Sequence, residues 1–261
     1  MAREQKVVAP VALTIAGSDP SGGAGISADI RSFIALGCRP TAAITSLTFQ
    51  NQNGVRGASH QSSETVREQV ISILAEFRIA AVKTGMLPTP EIVREVARLF
   101  RETELPAPVV DPVLRSTSGY ELMVPDAVEV LLNELIRLAR VITPNIPEAE
   151  HLTGLRIEDE TGMRAAARKL RELGAPAVLV KGGHLRRQGS EVRGRAQAID
   201  VLDDHGRVTV FSGEWIDSPP VRGTGCMLSA AIAACLGKEM CLEEAVRQAK
   251  GFVADAIRKA N

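Results

Sequence analysis

Aromatic side chains are scarce: six Phe, one Tyr and one Trp among 261 residues. So few rings argue against recognition of a nucleic acid by base stacking. There is no excess of one charge either, with 31 Lys and Arg against 31 Asp and Glu. A nucleic-acid or anionic-membrane partner asks for a basic face, so neither is expected. No apolar run approaches the roughly 20 residues that span a bilayer, and "MAREQKVVAP" at the N-terminus has no apolar core followed by a cleavage site, so no signal peptide is expected. The four cysteines (38, 226, 235, 241) form no CxxC and have no metal spacing with histidine, and the four histidines are scattered. That pattern argues against a zinc site and suggests reduced thiols in a cytoplasmic protein.

What is present is alternation. "VALTIAG" reads as a strand and "GISADIRSFIALG" as a helix ending at Gly37. "TAAITSLTFQ" is a second strand. "SSETVREQVISILAEF" is a helix, with Ser63 placed at the N-cap and Glu64 in the first turn. "AAVKTG" and "APVVDPVL" are short strands around the helix "PEIVREVARLF". "ARVITPN" and "PAVLVKGG" follow, separated by helical stretches at about 147–152 and 160–173. "QAIDVLDDHGRVTVFSG" reads as a β-hairpin turning at "DDHGR", and two helices, "TGCMLSAAIAACLG" and "LEEAVRQAKGFVADAIRKA", end the chain. Strand–helix alternation implies an α/β fold, a mostly parallel sheet flanked by helices on both faces, with the hairpin as a small flap. No low-complexity linker or internal repeat divides it, so residues 1–261 are read as one domain. Function in such sheets collects at the carboxyl ends of the strands, and the glycine and charge clusters each follow a strand.

Five clusters stand out. Gly22-Gly23-Ala24-Gly25, in "AGSDPSGGAG", lacks the GxGxxG spacing and no Gly-Lys-Ser/Thr ends it, so it is neither a dinucleotide fingerprint nor a Walker loop; a tight turn needing positive φ is an equal reading. Asp29, one turn further on, either faces a ligand or is solvated. Gly223-Thr224-Gly225 precede a small-residue helix, and their N–H groups at its N-terminus make an anion hole. Cys226 sits there, where the local field lowers a thiol's pKa and fits it to take a proton; a buried structural cysteine is the plain alternative. Asn145 and Glu148 form N-x-x-E after a strand, suited to magnesium waters near phosphates or to ordinary capping behind Pro147. Lys181 ends a strand before two glycines, placed to reach a phosphate or simply exposed. Asp111, in "VVDPVL", is flanked by apolar residues and calls for a metal or a lysine as partner.

The order of these clusters carries more than any one of them. "TIAGSDPSGGAGISADI", "AAVKTGM", "VVDPV", "TPNIPEAEHLTG", "VLVKGGH" and "GTGCMLSAAIAA" run from about residue 13 to 234. Together they resemble the ribokinase superfamily, in particular its hydroxymethylpyrimidine/phosphomethylpyrimidine kinase branch of thiamin biosynthesis. The resemblance implies a ribokinase-like fold, ATP and Mg2+ as cofactors, a small pyrimidine as acceptor, and a cytoplasmic homodimer. It implies that the first glycine loop lies against the acceptor and that Gly223, Thr224, Gly225 and Cys226 form the anion hole and base. Gly17, Asp29, Gln50, Met86 and Val113 match acceptor-pocket positions; Gln50 offers both a donor and an acceptor, as an aminopyrimidine edge requires. Asp111 and Glu148 match the metal region, with Asn145 and Lys181 toward the nucleotide phosphates; Lys83 matches without an assigned role.

Three departures mark this chain. Arg222 stands where the family often has histidine, Thr117 where lysine is expected, with Arg115 nearby, and Phe49 replaces a smaller residue. The activity implied is phosphorylation of 4-amino-5-hydroxymethyl-2-methylpyrimidine and then of its monophosphate. Pyridoxal or pyridoxine kinase is the alternative within the branch, and a non-catalytic pyrimidine-binding protein the alternative of another class.

Overall fold

The computed structural model describes residues 9–183, 197–214, 216 and 221–260. His184, the end of the "VLVKGGH" stretch, lies outside them. Nine strands form one sheet in the order β3-β2-β1-β4-β5-β6-β7-β8-β9. They are β1 (Val11–Ser18), β2 (Arg39–Asn51), β3 (Gly54–His60), β4 (Ile79–Thr84), β5 (Val109–Val110), β6 (Val141–Ile142), β7 (Ala177–Lys181), β8 (Gln197–Asp204) and β9 (Arg207–Glu214). The strands from β2 to β7 run parallel, and antiparallel hairpins extend both ends of the sheet.

The period-2 alternation of side chains explains the two covered faces. Leu13 and Ile15 of β1 enter one apolar core while Ala12 enters the other, and in β7 Val178 and Val180 oppose Leu179. The first core lies under α2 (Ser63–Leu74), α3 (Pro90–Glu102), α4 (Pro125–Val130), α5 (Ile146–Thr153) and α6 (Glu160–Glu172). The second lies under α7 (Thr224–Leu236) and α8 (Leu242–Ala260), joined by Phe33 of α1 (Gly25–Ala35). α7 is apolar around most of its girth and packs between α1, α8 and the sheet. Its run of Ala230, Ala231, Ala233 and Ala234 lets the neighbouring elements approach closely.

The structure differs from the sequence reading in four places. The expected 197–213 hairpin forms around His205 and Gly206, both at positive φ, but it pairs along the whole of β7 and is a continuation of the sheet. A second hairpin, β2–β3, was not anticipated as a pair. α4, which runs on through a π turn (Leu131–Leu135) and a 3-10 turn (Ile136–Leu138), was also missed. The cap of α2 is Ser62, whose hydroxyl accepts the Thr65 N–H, rather than Ser63, which is the first helical residue.

Candidate functional site

Strand order reverses at β1, which has β2 on one side and β4 on the other. Such a switch point opens a crevice at the strand carboxyl ends. Gly17 and Met86 pack against each other there: a Cβ at Gly17 would stand 2.8 Å from the Met86 Sδ. Asp111, Thr143 and Lys181 line the same edge, each carried by a backbone bond to the neighbouring strand or its extension: Asp111 N–H to Thr84 O, Thr143 N–H to Val110 O, Lys181 N–H to Pro144 O.

The two glycine loops meet in this crevice. Gly25 (φ 56°) lies against the Gly17 carbonyl and Gly223 (φ 77°) against the Gly23 carbonyl, each so closely that a Cβ would collide with backbone. Glycine is needed at both for the left-handed φ and for the approach. The first loop therefore packs directly on the turn that opens α7. The Gly25 N–H points at Cys226, so the amino ends of α1 and α7 converge on that thiol.

Charged groups of alternating sign lie buried beneath this junction. Lys83 Nζ donates to Asp29 Oδ2 at 2.8 Å, and Thr14 Oγ1 donates to the same oxygen at 2.6 Å. Asp29 Oδ1 is buried without a hydrogen-bond partner among the described residues. Lys181 Nζ donates to Asp111 Oδ1 at 2.9 Å, and Ser229 of α7 donates to Asp111 Oδ2 at 3.2 Å. Lys181 Nζ also lies 3.3 Å from where a Gly225 Cβ would stand, which places the ammonium at the anion-hole loop. Asn145 and Glu148 form a reciprocal capping box on α5, each side chain accepting the other's N–H at 2.9 Å. The ordinary capping reading of that pair is thus realised within the site itself.

Burial and these neighbours move the titrations. Burial pushes the Cys226 thiol up to about 11; Lys83 and the Gly25 N–H oppose this, and Asp111 and Asp29 add to it. The expectation of a lowered thiol pKa is therefore corrected: loss of water outweighs the helix terminus. Burial raises Glu148 to about 7 against the attraction of Lys181, with Asp111 adding to the rise. Burial also raises Asp29. For Asp111 burial acts upward, but Lys181 and Lys83 outweigh it and hold the carboxyl below its usual range. Burial acts downward on both lysines and is outweighed, chiefly by Asp29 at Lys83 and by Asp111 at Lys181.

The remaining expected residues divide. Gln50 reaches the first loop, with Nε2 donating to Asp19 Oδ2 at 3.3 Å. Met86 is buried, and its carbonyl accepts the Thr45 hydroxyl. Val113 spends its N–H on the Asp111 carbonyl. Arg115 is exposed and stands 3.9 Å from Glu121. Arg222 donates to the Asn51 carbonyl at 2.6 Å. Sequence reasoning missed Thr14, Asp19, Thr143 and Ser229. Of these only Asp19 left a signal, the Asp-x-Ser spacing of a side-chain-to-backbone turn.

The chain matches the family model described as phosphomethylpyrimidine kinase over residues 19–261. It is 41% identical over 251 residues to a hydroxymethylpyrimidine/phosphomethylpyrimidine kinase of Streptomyces coelicolor, a match covering 96% of this chain and 90% of the relative. The crystal structure of a phosphomethylpyrimidine kinase from Clostridium difficile 630 superimposes with a TM-score of 0.81 at 38% identity, over 95% of this chain and 99% of that one. A pyridoxal kinase from Staphylococcus aureus in complex with AMP-PCP and pyridoxal gives a TM-score of 0.83 at 29% identity, over 96% and 88%. Fold and site together define a small-molecule kinase of the ribokinase-like class. Within that class, the chain belongs to the phosphomethylpyrimidine kinase family.

Proposed function

We propose that this kinase transfers the γ-phosphoryl group of ATP to the hydroxymethyl group of 4-amino-5-hydroxymethyl-2-methylpyrimidine, and then a second phosphoryl group to the resulting monophosphate. The observation that carries this reading is the meeting of the two glycine loops at Cys226. An acceptor held against Gly17, Gln50 and Met86 has its hydroxymethyl group directed at the thiol. A phosphoryl group on the Gly223-Thr224-Gly225 turn meets backbone N–H groups, the amino end of α7 and Lys181. Such transfer depends mostly on positioning and on charge stabilisation, and these are what the chain supplies.

Cys226 takes the acceptor's proton as thiolate. Its pKa of about 11 makes that form a minority at neutral pH, so Lys83, which favours the thiolate, assists the step.

No group of three or more His, Cys, Asp or Glu side chains able to hold a metal is found among the described residues. Magnesium does not need such a cage, because it binds through one or two carboxylates and keeps waters and substrate phosphates as its other ligands. Asp111, just past the end of β5, and Glu148, in the first turn of α5, are two hard oxygen donors that fit that requirement. When bound, the ion would neutralise charge between the transferred and leaving phosphates. Among the described residues no helix is long and apolar enough to cross a membrane. The family resemblance supports a cytoplasmic homodimer, with the whole chain acting as one catalytic domain.

The deciding experiment is a phosphorylation assay on hydroxymethylpyrimidine, its monophosphate and pyridoxal side by side. The two pyrimidines should be the better acceptors. Faster turnover of pyridoxal would move the assignment to the vitamin B6 ring, and no turnover with any ring, with no ring-stimulated ATPase, would make the chain a binding protein.

A further inference from the structure

Asp19 has no part in the reaction outlined above, yet its carboxylate is 4% exposed and fully engaged. Oδ1 accepts the Ser21 N–H at 2.8 Å and the Ser21 hydroxyl at 2.7 Å. Oδ2 accepts the Ala24 N–H at 2.9 Å and Gln50 Nε2 at 3.3 Å, and Arg222 Nη2 stands 3.7 Å from the same oxygen. Arg222 in turn holds the Asn51 carbonyl next to Gln50. Three segments distant in sequence are tied to one carboxylate: the first glycine loop, the end of β2 and the approach to α7.

The chemistry of that carboxylate decides how Gln50 faces. An amide can turn over, exchanging its donor nitrogen and acceptor oxygen, unless a neighbour accepts only one of them. Thr48 does not choose. Its hydroxyl lies 2.9 Å from the Ser18 carbonyl and 3.1 Å from Gln50 Oε1; having one hydrogen, it can donate to Ser18 and accept an amide N–H equally well. Asp19 does choose, because a carboxylate only accepts, and an amide oxygen turned toward it would leave two acceptors face to face. With Nε2 fixed on Asp19, Gln50 keeps one N–H and one oxygen lone pair in a fixed order.

We propose that Asp19 is a positioning residue that sets acceptor specificity by locking the Gln50 amide in one orientation. The locked amide matches a ring on which an amino donor sits beside a ring-nitrogen acceptor, and a ring with the opposite order is refused. Arg222 supports the lock by pairing with Asp19 and holding the neighbouring strand end. The inference rests on the acceptor reading above and deepens it.

The test is a double-mutant cycle of Asp19→Asn and Gln50→Ala, read by calorimetric binding of hydroxymethylpyrimidine and, separately, of the non-hydrolysable nucleotide AMP-PCP. Asparagine keeps the shape and one acceptor oxygen but allows the Gln50 amide to turn. Asp19→Asn should weaken pyrimidine binding about 5- to 20-fold and leave nucleotide binding within about twofold. In the Gln50→Ala background the same change should cost less than about twofold, since interacting sites are non-additive. Losses that multiply, or nucleotide binding that falls in step, would make Asp19 a loop builder only and overturn the proposal. Should Asp19→Asn fail to fold, Gln50→Glu carries the test: facing Asp19 without a donor, it should bind pyrimidine less well than Gln50→Ala, and equal or better binding overturns the proposal. If the wild-type protein binds no pyrimidine, the acceptor reading fails by itself, and the lock is judged on ligand-free protein by NMR. There the Gln50 side-chain amide hydrogens should exchange faster with solvent in Asp19→Asn, and unchanged exchange overturns the proposal.

Discussion

Lys83 Nζ lies 2.8 Å from Asp29 Oδ2, and neither side chain has any exposed surface. The pair joins β4 to α1 beneath Cys226, and Thr14 of β1 donates to the same oxygen, leaving Asp29 Oδ1 without a partner among the described residues. A buried ion pair adds little net stability when complete, but breaking it strands a charge. Lys83→Met should therefore destabilise the protein by about 3–5 kcal/mol, and Asp29→Asn by less, because the amide still accepts from Lys83 or Thr14. Denaturant midpoints check this. A midpoint for Lys83→Met close to wild type would show that the pair is not the structural tie described.

Cys226 should react slowly at neutral pH. Its folded pKa of about 11 lies above the ordinary 9.0. Alkylation by iodoacetamide, followed residue by residue by mass spectrometry to separate it from exposed Cys241, should rise about tenfold per pH unit and continue rising past pH 9. The same shift acts on stability. Because the folded value is the higher one, the contribution is complete below pH 9 and is lost as pH rises through 11. Alkylation that levels off near pH 8 would contradict the burial argument.

For catalysis, Cys226→Ala should lower turnover by roughly 100-fold or more, the usual worth of a general base, with a smaller effect on acceptor affinity. Wild-type turnover in that variant would return Cys226 to a packing role.

The capping box separates two functions of one motif. Asn145→Ala should cost about 1 kcal/mol of stability through loss of the α5 cap. Glu148→Gln should raise the magnesium concentration needed for half-activity, because it removes a carboxylate and leaves an oxygen that can still accept the Asn145 N–H. If both variants change stability alone, Glu148 has no part in holding the metal.

Gly223→Ala tests the contact between the loops. The new Cβ would meet the Gly23 carbonyl at a left-handed φ, so both the anion-hole turn and the first loop must shift. Turnover and acceptor affinity should fall together. A loss confined to nucleotide binding would show that the loops act independently.

The sequence by itself determined the strand–helix alternation, the glycines that punctuate it and the order of the charged clusters. Those are local properties, written in hydrophobic period and turn chemistry, and they identified the family through "GSDPSGGAG", "VVDPV" and "GTGCMLSAA". α4 and the β2–β3 pairing were not legible because a mixed π and 3-10 continuation has no clean period and pairing is set across the sheet. At the site, residue identities were legible and relationships were not. That Asp29 answers Lys83, that Asp111 is held by β7 and α7 at once, and that Asp19 and Arg222 reach Gln50 and its neighbour all depend on residues between 31 and 171 positions apart. Tertiary structure also decided the thiol's state. The helix terminus that sequence reveals pulls its pKa down, whereas the burial that pushes it to about 11 exists only once α1, β4 and α7 have come together, with the cysteine still partly exposed.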